Sequence, residues 1–161
     1  MSEVSILPAD ESHKLTIANL LQYYLYDFSE FEPSEMNDDG SFDYPYLDFY
    51  WREPGRSAYL IYHREELAGF ALVHQEKDPN NGEEFLDLTE FFIVRSLRRQ
   101  KLGMDAAIKL WNQLPGLWHI KVLSSNKVAQ AFWKHVISSY RDERYELSIT
   151  DGEFCFQFIS G

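Results

Sequence analysis

The chain has 161 residues, 45% of them hydrophobic and 25% charged, which fits one globular domain able to bury a real core. Its net charge of −11 repels nucleic acid and anionic membrane on average, so neither is expected as a partner. The single cysteine, Cys155, excludes an intrachain disulfide and any all-cysteine zinc site, and a reducing, cytoplasmic setting is the simplest reading. There is no apolar run long enough to span a bilayer, and the first residues lack the basic and apolar regions of a signal peptide.

In chain order, Val4 to Leu7 reads as a short strand, and Asp10 to about Tyr26 as a helix with Leu15, Ala18, Leu21 and Leu25 at helical spacing. Asp27 to Gly55 mixes acids, aromatics and prolines, and is expected to be loop plus a short helix around Tyr46 to Trp51. Ala58 to Tyr62 and Leu67 to His74 are predicted strands joined by a tight turn, and Phe85 to Val94 is a long strand after the Pro79-Asn80-Asn81-Gly82 turn. Helices are predicted over Lys101 to Leu114, ended by Pro115-Gly116, and over Lys127 to Ile137, with a strand at Trp118 to Leu123 between them. The tail reads as a hairpin, Tyr140 to Ile149 and Glu153 to Ile159, turning at Asp151-Gly152. This order implies an α+β fold with a central, mostly antiparallel sheet flanked by helices.

Two segments concentrate the chemistry. The first, Glu90 to Met104, is a strand feeding a basic turn and a helix, with Arg95, Arg98, Arg99 and Lys101 gathered into an otherwise acidic chain. A turn entering a helix N-terminus offers unpaired N–H groups and partial positive charge to an anion. The second, Asn126 to Trp133, opens a helix with an asparagine, a good N-cap. Ala129, Phe132, Trp133, Val136 and Ile137 follow on one apolar face, so core packing is a sufficient reason for them. Strict alternation in the strand from Phe85 puts Leu86, Leu88, Glu90, Phe92 and Val94 on one face, with Glu90 its only charge; a bulge would flip that parity. Desolvation there would raise the carboxyl towards the range of a useful base, while a salt-bridged structural role is the alternative.

Together the segments resemble the two cofactor-binding motifs of the GNAT superfamily of acyl-CoA-dependent N-acetyltransferases, whose fold has the same order of elements. The first motif runs Arg, two residues, Gly, one residue, Gly; here these are Arg98, Lys101 in place of the first glycine, and Gly103. The resemblance implies a mixed, mostly antiparallel GNAT-like sheet over residues 1–161 as one domain. It also implies acetyl-CoA as cosubstrate, held by Phe92, Ile93, Val94, Arg98, Arg99, Gln100, Lys101, Leu102, Gly103, Met104, Asn126, Ala129, Phe132 and Trp133. Trp133 stands where the family usually has the tyrosine that protonates the leaving thiolate; an indole cannot serve as that acid, and Tyr24 and Tyr26 are possible substitutes. Glu90 lies at a position that carries a catalytic glutamate in many family members.

The acceptor is expected to be a small cationic primary amine, because Asp27 to Glu53 holds nine acids among eight aromatic rings. Tyr24, Tyr26, Asp27 and Glu30 are its candidate contacts. No set of His, Asp and Glu has metal-ligand spacing, so no metal is expected. The aromatic tail hairpin could pair two copies as a homodimer. The rival function is a catalytically inert acyl-CoA sensor, which would bind the cofactor without turnover.

Overall fold

A computed structural model describes residues 3–98 and 101–161. Among these residues seven strands form one sheet: β1 (Val4–Pro8), β2 (Arg56–His63), β3 (Glu66–Lys77), β4 (Glu84–Ile93), β5 (Gly116–Leu123), β6 (Glu146–Thr150) and β7 (Glu153–Ser160). Their order across the sheet is β1-β2-β3-β4-β5-β7-β6, and every neighbouring pair is antiparallel except β4 with β5. That one parallel pair follows from the crossover between them through helix α3 (Leu102–Gln113), since parallel neighbours need a long connection. Helices α1 (Lys14–Phe28), the single turn α2 (Phe49–Arg52) and α4 (Lys127–Arg141) complete the fold. The mostly antiparallel sheet with flanking helices is the α+β architecture the sequence implies.

Two apolar layers sandwich the sheet. On one face, Ala106, Leu110 and Trp111 of α3 and Trp133, Val136 and Ile137 of α4 pack on Ile61, Val73, Trp118, Ile120 and Phe156. On the other, Ile17, Leu20 and Leu21 of α1 and Tyr50 of α2 cover Leu60, Phe70, Leu72 and Phe92. The buried face of α1 is therefore rotated from the spacing read in the sequence: Leu15 is 72% exposed, while Ile17 and Leu21 are sealed. Asp10 explains the late start of α1. Its carboxylate accepts the Ser12 N–H at 2.9 Å and holds Glu11–His13 in a tighter 3₁₀ turn ahead of the helix.

Two sequence expectations are corrected. The short helix is Phe49–Arg52 alone, with Tyr46 in the preceding turn. Tyr140 belongs to α4 and not to the tail hairpin, whose first strand begins at Glu146. Tyr140 is held in the helix by Trp111, at 5.3 Å between ring centroids, and by donating its hydroxyl to Asn112 Oδ1 at 2.6 Å. Long-range packing thus extends the helix past the point where its apolar periodicity ends.

Candidate active site

The site is built around an irregularity in β4. Leu72 pairs with Glu90 and Val73 with Leu88, so Thr89 is an extra residue, a β-bulge. The bulge flips the side-chain parity. Leu86 and Leu88 pack towards α3 and α4, whereas Phe92 and Val94 join the layer under α1. The five-residue face expected from strict alternation is therefore two faces, and Glu90 falls on the α1 side with Phe92 and Val94.

Beside the bulge the sheet opens. β4 and β5 pair only at Leu86 with Trp118 and Asp87 with His119, and then part. Val94 donates its N–H to Ala68 O of β3 at 2.8 Å. Counting back in steps of two along an antiparallel strand, Phe92 and Glu90 share that direction, and Ile93 and Phe91 turn their backbone groups into the gap. Arg98 Nε donates to Ile93 O at 2.7 Å from that side. Of the three strand residues expected to contact the cofactor, Ile93 is thus the one whose amide faces the opening.

The strand's position depends on Gly69, which lies opposite Ile93. A Cβ at Gly69 would sit 1.8 Å from Phe92 O, so no other residue allows β3 and β4 to run this close. The role of Gly69 is not legible in the sequence, since a lone glycine inside a strand gives only a generic hint of a bulge or a close approach.

Glu90 sits below the rings of the α1 side. Tyr24 donates its hydroxyl to Glu90 Oε1 at 2.9 Å, and Tyr24 itself packs edge-on to Phe70 and Phe92. Burial pushes the Glu90 carboxyl up to about 7, against the hydroxyls of Tyr24 and Tyr44, which favour its charged form. Burial and the neighbouring Glu90 also raise the phenols of Tyr24 and Tyr44. Tyr44 comes from the acid- and ring-rich stretch. Gln22 of α1 clamps that stretch by exchanging two hydrogen bonds with Phe42, at 2.9 and 2.8 Å. Gln22, like Gly69, carried no signal of its role in the sequence.

The basic turn precedes α3. Lys101 adopts a left-handed conformation, φ 61°, at the N-cap, the backbone geometry that favours the glycine this position has in the motif. The side chain of Lys101 is exposed and does not cap the helix, while the first helical bond runs from Asp105 N to Lys101 O. The amides of Leu102, Gly103 and Met104 thus form the open end of a twelve-residue helix, a ready anion site. Leu102 is buried in the core, Met104 is half-buried against it, and Arg99 and Gln100 lie outside the described residues. Gly103 serves packing, since a Cβ there would press on the Phe132 ring at 3.1 Å.

α4 forms the other wall. Asn126 caps it by accepting the Ala129 N–H at 3.0 Å, and Gln130 ties it to the end of β5 by donating to Leu123 O and Ser124 O. Trp133 is buried between Phe91, Trp111 and Phe132, at centroid distances of 5.2, 6.2 and 4.8 Å. Ala129 and Phe132 are half-buried on the same core.

Of the acceptor-side candidates, Tyr24 alone touches Glu90. Tyr26 is 66% exposed and, with Tyr23, Asp27, Phe92, Val94 and Arg95, lines a cleft of about 350 Å³. Both carboxylate oxygens of Asp27 are held by arginines, Oδ1 by Arg95 and Oδ2 by Arg98 at 3.1 Å. Glu30 is exposed. No group of three or more His, Cys, Asp or Glu suited to a metal occurs among the described residues, and no described helix is long and apolar enough to cross a membrane.

These features lie together on residues 90–104: the N-terminus of α3 with its arginines, the edge where β4 parts from β5, and the raised carboxyl of Glu90. No curated protein matches the sequence. Among solved structures, an acetyltransferase from Thermus thermophilus is 15% identical, with 99% of this chain and 98% of that one covered and a TM-score of 0.65. An aminoglycoside acetyltransferase from an uncultured soil metagenomic sample is 10% identical, with 92% and 96% covered and a TM-score of 0.60. Naa50 of Arabidopsis thaliana, in complex with the bisubstrate analogue CoA-Ac-MVNAL, is 13% identical, with 96% and 97% covered and a TM-score of 0.58. The model of the Acetyltransferase (GNAT) family matches residues 19–136, well over half of the chain. The chain belongs to the GNAT family and is a GNAT-type N-acetyltransferase.

Proposed function

We propose that the protein moves an acetyl group from acetyl-CoA to the primary amine of a small cationic acceptor, by direct attack within a ternary complex. The observation that carries this reading is the parting of β4 from β5 beside Glu90: a strand edge with a free amide and a proton acceptor lie on the same few residues. Acetyl-CoA supplies the activated acyl group as its thioester. The amides of Leu102, Gly103 and Met104, with Arg98 and Lys101, hold its phosphates. Asn126, Ala129, Phe132 and Trp133 border its extended arm.

Ile93 N–H orients the thioester carbonyl and stabilises the negative charge that grows on its oxygen. Glu90, ionised above about pH 7, takes one proton from the acceptor's ammonium, directly or through a water, so that the amine's lone pair can attack. The new C–N bond forms as the C–S bond breaks, and the thiol departs as thiolate, which its pKa near 8.5 permits without a protein acid. The nitrogen then sheds its remaining extra proton to solvent. Trp133, buried among rings, fills space at this point and donates no proton. Holding both partners together accounts for much of the acceleration.

The reading is tested by adding a panel of amines to protein and acetyl-CoA and following thiol release. Release with small cationic amines is expected; binding of acetyl-CoA with no release across the panel would overturn it. The setting proposed is cytoplasmic, in keeping with the lone half-buried thiol of Cys155, which burial makes less acidic. For assembly, pairing of two copies along β6 at the open sheet edge is the corresponding proposal, measurable by light scattering.

A further inference from the structure

Asp27, in the last turn of α1, reaches across 68 residues of sequence to Arg95 and 71 to Arg98. Arg98 is fixed from three sides: its Nη2 donates to Asp27 Oδ2 at 3.1 Å, its Nε donates to Ile93 O at 2.7 Å, and its guanidinium lies 5.4 Å from the centre of the Phe92 ring. Arg95 takes the other carboxylate oxygen. Asp27 is the most enclosed of the three, its side chain 24% exposed against 40% for Arg98 and 73% for Arg95.

Two consequences follow from charge and geometry. The trio carries two cations and one anion, a net charge of +1, so it repels an incoming ammonium and favours a phosphate. The chain of contacts from Asp27 through Arg98 also ends on the backbone of Ile93, the residue whose amide faces the gap between β4 and β5. A planar guanidinium gripped by carboxylate, carbonyl and ring has little freedom left, so Arg98 and the Ile93 carbonyl it holds are set before any ligand arrives.

Resting on the proposed acetyl-CoA site, we infer that Asp27 is a positioning residue for the cofactor: it holds the Arg95 and Arg98 guanidinium groups in place and, through Arg98, the Ile93 backbone, and it does not receive the acceptor's ammonium. Its contribution lies in the ground-state grip on coenzyme A, so it changes cofactor affinity and leaves acceptor recognition alone.

The test is calorimetric titration of coenzyme A, with no amine present, into the wild-type chain and the variants Asp27→Asn, Asp27→Glu, Arg98→Lys and the Asp27→Asn/Arg98→Lys pair, with the amine KM measured alongside. Asp27→Asn is expected to weaken coenzyme A binding roughly fivefold, the weight of one partly exposed charged pair, with the amine KM unchanged. Asp27→Glu should restore most of the loss, and the pair should lose no more than the larger single variant, because both act through one contact. Unchanged or tighter coenzyme A binding in Asp27→Asn would overturn the inference, as would a raised amine KM with intact cofactor binding. A wild-type chain that binds no coenzyme A removes this inference and the proposed function together; a wild type that binds it with an indifferent Asp27→Asn removes this inference alone. Should Asp27→Asn not fold, Asp27→Glu and Arg98→Lys decide: a coenzyme A affinity unmoved in Arg98→Lys contradicts the inference.

Discussion

Glu90 keeps its proton to about pH 7 in the native state but to about 4.5 in a free chain. Between those values the unfolded chain has already lost a proton that the native carboxyl retains, so stability falls as pH rises through that window and stays reduced above it. Glu90→Gln removes the buried charge while keeping an acceptor for Tyr24. Thermal melts at pH 8 should therefore show the variant more stable than wild type by on the order of 1–2 kcal/mol, with the gap closing by pH 4. Lys101 offers a second prediction. A non-glycine residue in the left-handed region is disfavoured by about 1–2 kcal/mol, and glycine's extra chain freedom costs about 0.5–1 kcal/mol. Lys101→Gly should then stabilise the chain by roughly 0.5–1 kcal/mol in denaturant titrations, while weakening coenzyme A binding by loss of the ammonium. Glu90 and Lys101 were both legible in the sequence because each stands out against its neighbours. The partners of Glu90 were not, since Tyr24 lies 66 residues away and nothing local records the contact.

The elements themselves were largely written in their periodicity: strand alternation, helical stripes and the Asp151-Gly152 turn fall where the apolar pattern and the turn residues put them. What periodicity could not carry was the bulge at Thr89, because inserting one residue leaves local composition untouched while changing which face every later side chain occupies. The same limit explains Tyr140, which the helix retains through contacts with Trp111 and Phe158 from distant elements. Gly69 is where this scale can be tested. Its absent side chain lets Phe92 O approach, so Gly69→Ala must push β4 away from β3 at the residues that frame the gap. A loss of about 2–3 kcal/mol in urea unfolding is expected, in the range of overpacked interiors, together with weakened coenzyme A binding. A neutral Gly69→Ala would mean that the two strands do not run so close.

At the scale of the whole molecule, an acidic chain gathers cations around the entrance to α3 and leaves its sheet open beside them. Family membership was legible here because both motifs are local runs, about two dozen residues apart in sequence. Which acids of residues 27–53 are already paired was not, because their cations lie outside that stretch: Asp27 is held by Arg95 and Arg98, Asp48 by Lys14 and Glu53 by Arg56. A ligand that binds only the native chain stabilises it by about 2.7 kcal/mol at a hundred times its Kd, so saturating acetyl-CoA should raise the Tm by about 5–10 °C. Catalysis by Glu90 is tested most directly by the pH dependence of kcat/KM for thiol release, measured with wild type and Glu90→Gln. Wild-type activity is expected to fall away below about pH 7, and the variant to lose about a hundredfold or more in kcat together with that limb. A Glu90→Gln variant with wild-type rates and an unchanged profile would contradict it.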